Sequence, residues 1–164
     1  MYFEDLSPYR YYADDNCWYE FADDCEFEKL LNIGWLDSNH SFQVGTIDDA
    51  LFKKLRDLVC CIPKRINIHF ARIRGQRPCK LCKAYAKIRC KIGGMRHLGC
   101  TELRIPSREQ KVVFTSPDMI LHYIEEHSYL PPVEFLDALR NFDTSQPFDA
   151  EELGKNIIER RVGP

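Results

Sequence analysis

Cys79 and Cys82, two residues apart, and His122 and His127, five positions apart, are the residues of this chain best placed to do chemistry. Two thiolates spaced this way share one tight turn, and both sulfurs can reach a single ion at about 2.3 Å. The histidine spacing falls within the range of structural zinc sites. On an ideal helix, residues five apart point about 140° away from each other. Both rings can face one ion only if the last helical turn tightens or unwinds, and Pro131-Pro132 just beyond favours that. A rival set exists: His97 and Cys100 would complete a Cys-Cys-His-Cys site with Cys79 and Cys82, and Cys90 is a spare thiol. Spacing leaves the two sets open. Without a metal, the cysteines would be small buried hydrophobes. Either set closes a tetrahedron, whereas a catalytic zinc keeps one position open. The chemistry expected is one structural Zn2+ and no catalytic residue.

Several elements must position these ligands. Ile47, Leu51, Leu55, Leu58 and Val59 fall on one face of a helix over residues 46–60, with Thr46 and Asp49 as its capping box. Residues 26–33 read as a short helix stopped by Gly34. Ile66, Ile68 and Phe70 alternate with polar residues as in a half-buried strand, which turns His69 to the other face. Residues 87–92 form a short exposed strand ending at Gly93-Gly94. Residues 101–106 and 111–115 form a hairpin closed by Ser107-Arg108-Glu109-Gln110. Ser116-Pro117-Asp118 reads as a helix start for the segment that carries both histidines. Pro132 opens a further helix with Phe135, Leu136 and Leu139 on its apolar face, and Asp149 caps a last one over 150–161. The expected fold is therefore α+β. A β-hairpin and short strands are packed by three to four helices, in the treble-clef-like order of cysteine turn, hairpin and ligand helix. Residues 1–142 would be a single zinc-containing domain, and 143–164 a linker and C-terminal helix. The 39 residues between Cys82 and His122 exclude a free-standing finger.

The net charge of −2 over 164 residues conceals a segregation. Residues 1–50 hold twelve acids and two bases, and residues 51–113 hold three acids and seventeen bases. From Lys64 to Arg96 there are eleven bases and no acid. Such a run can be a footprint for nucleic acid, but the pI near 6.2 is unlike that of a basic domain. The acidic ends are expected to fold back and neutralise it. Eleven of the twenty aromatics lie in residues 1–45 without a clean period, as in irregular chain pinned by large rings. Trp35 would anchor a turn in which Asp37 binds amides two residues on, with His40 beside it.

No stretch approaches the roughly 20 apolar residues of a membrane span. The opening Met1-Tyr2-Phe3-Glu4-Asp5 has no basic or apolar signal region, so the cytosol is the default expectation. There, eight cysteines are better explained by metal binding than by disulfides.

Five stretches carry a family resemblance: residues 2–9 (Tyr2-Phe3-Glu4-Asp5-Leu6-Ser7-Pro8-Tyr9), 34–42 (Gly34-Trp35-Leu36-Asp37 through Phe42), Cys79-Lys80-Leu81-Cys82, Glu102-Leu103-Arg104-Ile105-Pro106, and 122–132 (His122-Tyr123 through Pro131-Pro132). Together they resemble a family of small, functionally uncharacterised bacterial proteins. The resemblance implies that Cys79, Cys82, His122 and His127 are the metal set, and it gives His97 and Cys100 no role. It brings no activity with it.

Three functions follow as expectations. The first is a non-catalytic bacterial interaction protein with one structural zinc, of the toxin-neutralising (immunity) or accessory kind, whose partner is a protein. The second is a nucleic-acid-binding zinc protein that uses residues 64–96, with Tyr85 as a stacking ring. The third, a hydrolase or nuclease, lacks the hairpin histidine that a treble-clef nuclease would need, and the chain has no phosphate loop or dinucleotide fingerprint.

Overall fold

The computed structural model describes residues 2–9 and 29–152 of the chain. The fold is α+β. Strands β1 (Lys29–Asn32), β2 (Ile66–Asn67), β3 (His69–Phe70), β4 (Lys87–Cys90), β5 (Gly94–His97), β6 (Glu102–Pro106), β7 (Val112–Pro117) and β8 (Phe148–Asp149) are joined by helices α1 (Asp49–Val59), α2 (Ile120–His127) and α3 (Val133–Asn141). The main sheet has the order β1-β7-β6-β3, with β1 parallel to β7 and the other pairs antiparallel. β4 and β5 form a separate ribbon, and β8 pairs with β2.

Alternation along β6 splits its surroundings. Leu103 and Ile105 turn to one face, Glu102 and Arg104 to the other, and all four are buried. The apolar face meets Phe114 and α3, where Phe114 and Phe135 pack edge to face at 6.0 Å. The polar face is covered by the N-terminal segment. Tyr9 donates to the Glu102 carboxylate at 2.6 Å, and the Arg104 guanidinium stacks 3.6 Å from the Phe70 ring. Bridges Phe3–Trp35 and Pro8–Leu31 fix the segment's course. The aromatic packing expected for residues 1–45 is seen on the described part, and residues 10–28 lie outside it.

Several local readings are corrected. Lys29–Asn32 is a strand, not the end of a helix: Leu30 and Leu31 pair with Val113 and Phe114 of β7. α1 is capped by Asp48, whose carboxylate accepts from the Leu51 amide at 3.0 Å, and not by Thr46. Ser116 and Pro117 extend β7, and α2 starts only at Ile120 without a side-chain cap. The reason is that the Asp118 carboxylate is taken by another segment, accepting from the Gly99 amide at 2.6 Å and the Cys100 amide at 3.4 Å. Gly99 has φ +83°, and a Cβ there would lie 2.2 Å from the Arg77 carbonyl oxygen. Asp149 does cap a helical start at residues 150–152, accepting from the Glu151 and Glu152 amides. The remainder of that expected helix is outside the described residues.

Not every thiol is reduced. Cys60, at the end of α1, is disulfide-bonded to Cys90 of β4 across a Cα separation of 5.6 Å. The ribbon packs its inner face on the end of α1, and this brings two buried cysteines together. Cys90 is thus not spare.

The basic run from Lys64 to Arg96 lies largely at the surface. Ten of its eleven bases are exposed, and Arg96 is half-buried. The ion pairs His40–Asp37, Lys53–Asp57 and Arg140–Asp137 lie outside it, and Arg77, within it, makes a further interaction of its own. The acids of residues 10–28 lie outside the described part.

Burial also sets two opposed titrations. His69, 8% exposed, is pushed down to about 4 by desolvation and by the Arg96 charge. Asp118 is pushed up to about 6, chiefly by desolvation. A carboxyl whose folded pKa is raised contributes stability at low pH that is lost as pH rises through about 6. A histidine whose folded pKa is depressed contributes stability above its unfolded value that is lost as pH falls toward 4. In the wild-type protein the two slopes largely offset each other. Between pH 5 and pH 7, Asp118→Asn should therefore gain stability relative to wild type by on the order of 1–2 kcal/mol, and His69→Gln should lose about as much. Urea unfolding of the three proteins at both pH values checks this, and parallel profiles would refute it.

Candidate metal centre

Cys79-Lys80-Leu81-Cys82 forms a turn closed by backbone bonds from the Lys83 amide to the Cys79 carbonyl (3.0 Å) and from the Cys79 amide to the Ala84 carbonyl (2.8 Å). Lys83 takes the left-handed conformation that reverses the chain, with φ 64°. Two amides point at the first sulfur. Leu81 N–H and Cys82 N–H lie 3.3 and 3.5 Å from Cys79 Sγ, an arrangement that stabilises a thiolate.

The histidines come from α2. His122 is the third residue of the helix and His127 its last. The helix does not end as a regular one. Ser128 adopts φ 53°, and its amide donates to the Tyr123 carbonyl five residues back, with the Tyr129 amide joining at 3.0 Å. A bond five residues back widens the turn, which brings residues five apart toward the same face. The ring centroids of His122 and His127 are 5.1 Å apart. The helix end therefore widens, as the spacing required.

The four donor atoms lie within 4.8 Å of one another. Cys79 Sγ is 3.4 Å from His127 Nε2, and Cys82 Sγ is 3.3 Å from His122 Nε2. A tetrahedral ion with metal–sulfur bonds of about 2.3 Å and metal–nitrogen bonds of about 2.0–2.1 Å would separate S and N by about 3.5 Å. The residues present thus fit a metal ion. Local electrostatics point the same way. Burial pushes the Cys79 thiol up, and burial and the neighbouring His127 push His122 down. Both groups are held neutral, and a divalent cation is what would convert the thiols to thiolates here. One donor, Cys79, is buried, and Cys82 is exposed.

The rival ligands are elsewhere. His97 Nδ1 meets Gln76 Oε1 at 3.0 Å on β5, and Cys100 sits in a different cleft. Among the described residues, no other group of three or more His, Cys, Asp or Glu donors converges in this way. His40 stacks on Tyr2 at 3.7 Å and pairs with Asp37, which also accepts the Asn39 amide. That is the structural role expected of the turn. Sequence reasoning missed what supports the helix end. Asp5 accepts from the Gly34 amide (2.7 Å) and from the Tyr129 hydroxyl (2.8 Å), tying the N-terminal segment to the residue two beyond His127. The only signal for this is that Asp5, Gly34 and Tyr129 all fall in the stretches that carried the resemblance.

Fold and site together define a small α+β protein with a Cys2His2 cluster able to hold a metal ion. The chain belongs to the family described as Domain of unknown function (DUF7919), whose model matches residues 1–140. No curated protein and no solved structure matches the chain.

Cys82→Ser and His127→Ala should each abolish metal retention, and His97→Ala should leave it intact. Structural zinc in small fingers contributes roughly 10–16 kcal/mol, so even part of that rivals a whole domain's stability. The two ligand variants should lose roughly 10 °C or more in Tm. Metal analysis and thermal unfolding of the three variants check this; metal loss in His97→Ala with retention in His127→Ala would reinstate the rival set.

Proposed function

We propose that the protein is a non-catalytic bacterial interaction protein stapled by one structural zinc, in the toxin-neutralising or accessory class, with a protein as its partner. The observation that carries this reading is the convergence of two thiols and two imidazoles, a set that leaves a tetrahedral ion no open position. Zinc is the metal such a donor set suits. The order of elements supports a treble-clef-like description: cysteine turn, β4–β5 ribbon, β6–β7 hairpin and ligand helix. His122 is the third residue of α2 and so lies in its first turn. The charge segregation supplies complementary surfaces for a partner. A cytoplasmic setting belongs to this reading. Among the described residues no helix is long and apolar enough to cross a membrane. The buried Cys60–Cys90 bond would have to persist there against reducing thiols.

A second reading, nucleic-acid binding through residues 64–96, is favoured by one observation. The bases of that run are exposed, and Tyr85 is 66% exposed among them. The two readings differ in salt dependence, because phosphate contacts release counterions and their affinity falls steeply with salt. Duplex DNA and single-stranded RNA should bind no more tightly than on the order of 10⁻⁵ M at physiological salt. A sub-micromolar constant that weakens when Arg72, Arg74 and Arg77 become Ala would move the function to nucleic acid.

A further inference from the structure

Lined by none of the four metal ligands, a cleft of about 240 Å³ opens between the β4–β5 ribbon and the segment that follows β3. Cys61, Asn67, His69, Arg72, Arg96 and Asp118 are on its wall. An adjoining hollow of about 520 Å³ shares Arg72, Arg96, His97 and Cys100, so the space continues past the ribbon.

Arg96 is unusual for its place. It pairs with Ile88 across the ribbon, and Ile88 is buried, so Arg96 lies on the inward face. No carboxylate of the described residues comes within ion-pair distance of it or of Arg72. Instead, Arg96 is held by neutral groups. Its Nη1 donates to the Val59 carbonyl at 2.6 Å and touches His69 Nε2, and its Nη2 lies 3.6 Å from Cys61 Sγ. A guanidinium has five N–H donors in a rigid fork, so anchoring one edge orients the rest without consuming them. His69 Nε2 also lies 2.9 Å from the Val59 carbonyl oxygen, so Arg96 and His69 converge on one acceptor, and the other ring nitrogen, Nδ1, is buried. That buried atom has no partner. A half-buried cation with no carboxylate in ion-pair reach and a buried ring nitrogen with no partner are both costly to keep.

Both guanidinium charges are felt at this wall. Arg72 and Arg96 each depress His69, and each offsets the rise that burial and Asp118 impose on Cys100. Two carboxylates also line the cleft. Asp118 is occupied by the Gly99 and Cys100 amides, and Glu151 is exposed. Neither lies within ion-pair distance of the arginines, although the Arg96 charge is felt at Asp118.

We propose that this cleft binds a phosphate group, with Arg72 and Arg96 as its charged ligands. Planar guanidinium forks match phosphate oxygens two at a time, and partial burial spares such contacts from full solvent screening. The space exceeds what a bare phosphate fills, so the natural ligand is a phosphorylated molecule, small or polymeric. The inference stands on the cleft alone and is independent of the zinc reading, whose failure would appear in metal content.

The test is calorimetric titration of the full, metal-loaded chain with inorganic phosphate in low-salt, phosphate-free buffer, then with a single-stranded oligonucleotide. Phosphate should bind. Arg72→Gln and Arg96→Gln should each weaken it roughly tenfold or more, and exposed Arg74→Gln should not. Arg72 is exposed, so its variant keeps the test valid if Arg96→Gln does not fold. Competition between oligonucleotide and phosphate would make the source a nucleic acid, and phosphate binding without competition would make it a small molecule. The absence of phosphate binding up to roughly 10 mM, or an equal loss in Arg74→Gln, would overturn the proposal.

Discussion

The structure depends on one meeting: a cysteine turn at residues 79–82 and the widened end of a helix some forty residues later must bring four donors to a single point. The turn needs a left-handed Lys83, and the helix needs a left-handed Ser128 and a bond that reaches five residues back. Non-glycine residues adopt that conformation at an energetic cost, and they keep it where surrounding structure over-determines them. A metal ion held by the four donors would supply that excess. Its binding energy is available only to the folded chain, because only the folded chain assembles the ligands.

The remaining elements keep the two halves in register. The β6–β7 hairpin delivers the chain to α2, and the pairing of Glu102 with Pro117 sets where it leaves the sheet. Asp118, next in the chain, reaches back to the 98–100 segment and not forward into its own helix. That exchange leaves α2 uncapped but fixes its start against the segment that follows the ribbon. At the far end, Asp5 holds Tyr129 and Gly34 at once, and Gly34 has φ +68° with Tyr129 and Ile120 packed where a side chain would begin. The N-terminal segment is thus a strap over the polar face of the sheet and a brace for the helix end that carries His127.

How much of this was legible in the sequence follows from how local each cause is. The α1 and α3 faces, the hairpin and the Gly93-Gly94 turn are set by periodicity and turn chemistry within a few residues, and they could be read. Lys29–Asn32 could not. Four residues are too few to separate strand from helix by period, and the parallel pairing to β7 that decides the matter lies eighty residues away. Ser116-Pro117-Asp118 has every local mark of a helix start, and a long-range claim on Asp118 overrode it. The Cys60–Cys90 bond was missed because compartment, inferred from the chain's opening, was allowed to decide pairing in place of proximity. Of the site, the four donors were legible from residue type and resemblance. The Asp5–Tyr129 brace was not, since carboxylate–hydroxyl pairs have no sequence signature.

The central claim is that Cys79, Cys82, His122 and His127 close one zinc site. X-ray absorption at the zinc edge of the purified chain tests it most directly. The account predicts two sulfur scatterers at about 2.3 Å and two imidazole nitrogens at about 2.0–2.1 Å, with no further oxygen. Three sulfurs in the shell, or two sulfurs with one imidazole and a water oxygen, would contradict it. The first would bring another cysteine into the site, and the second would leave the open position that a structural role excludes.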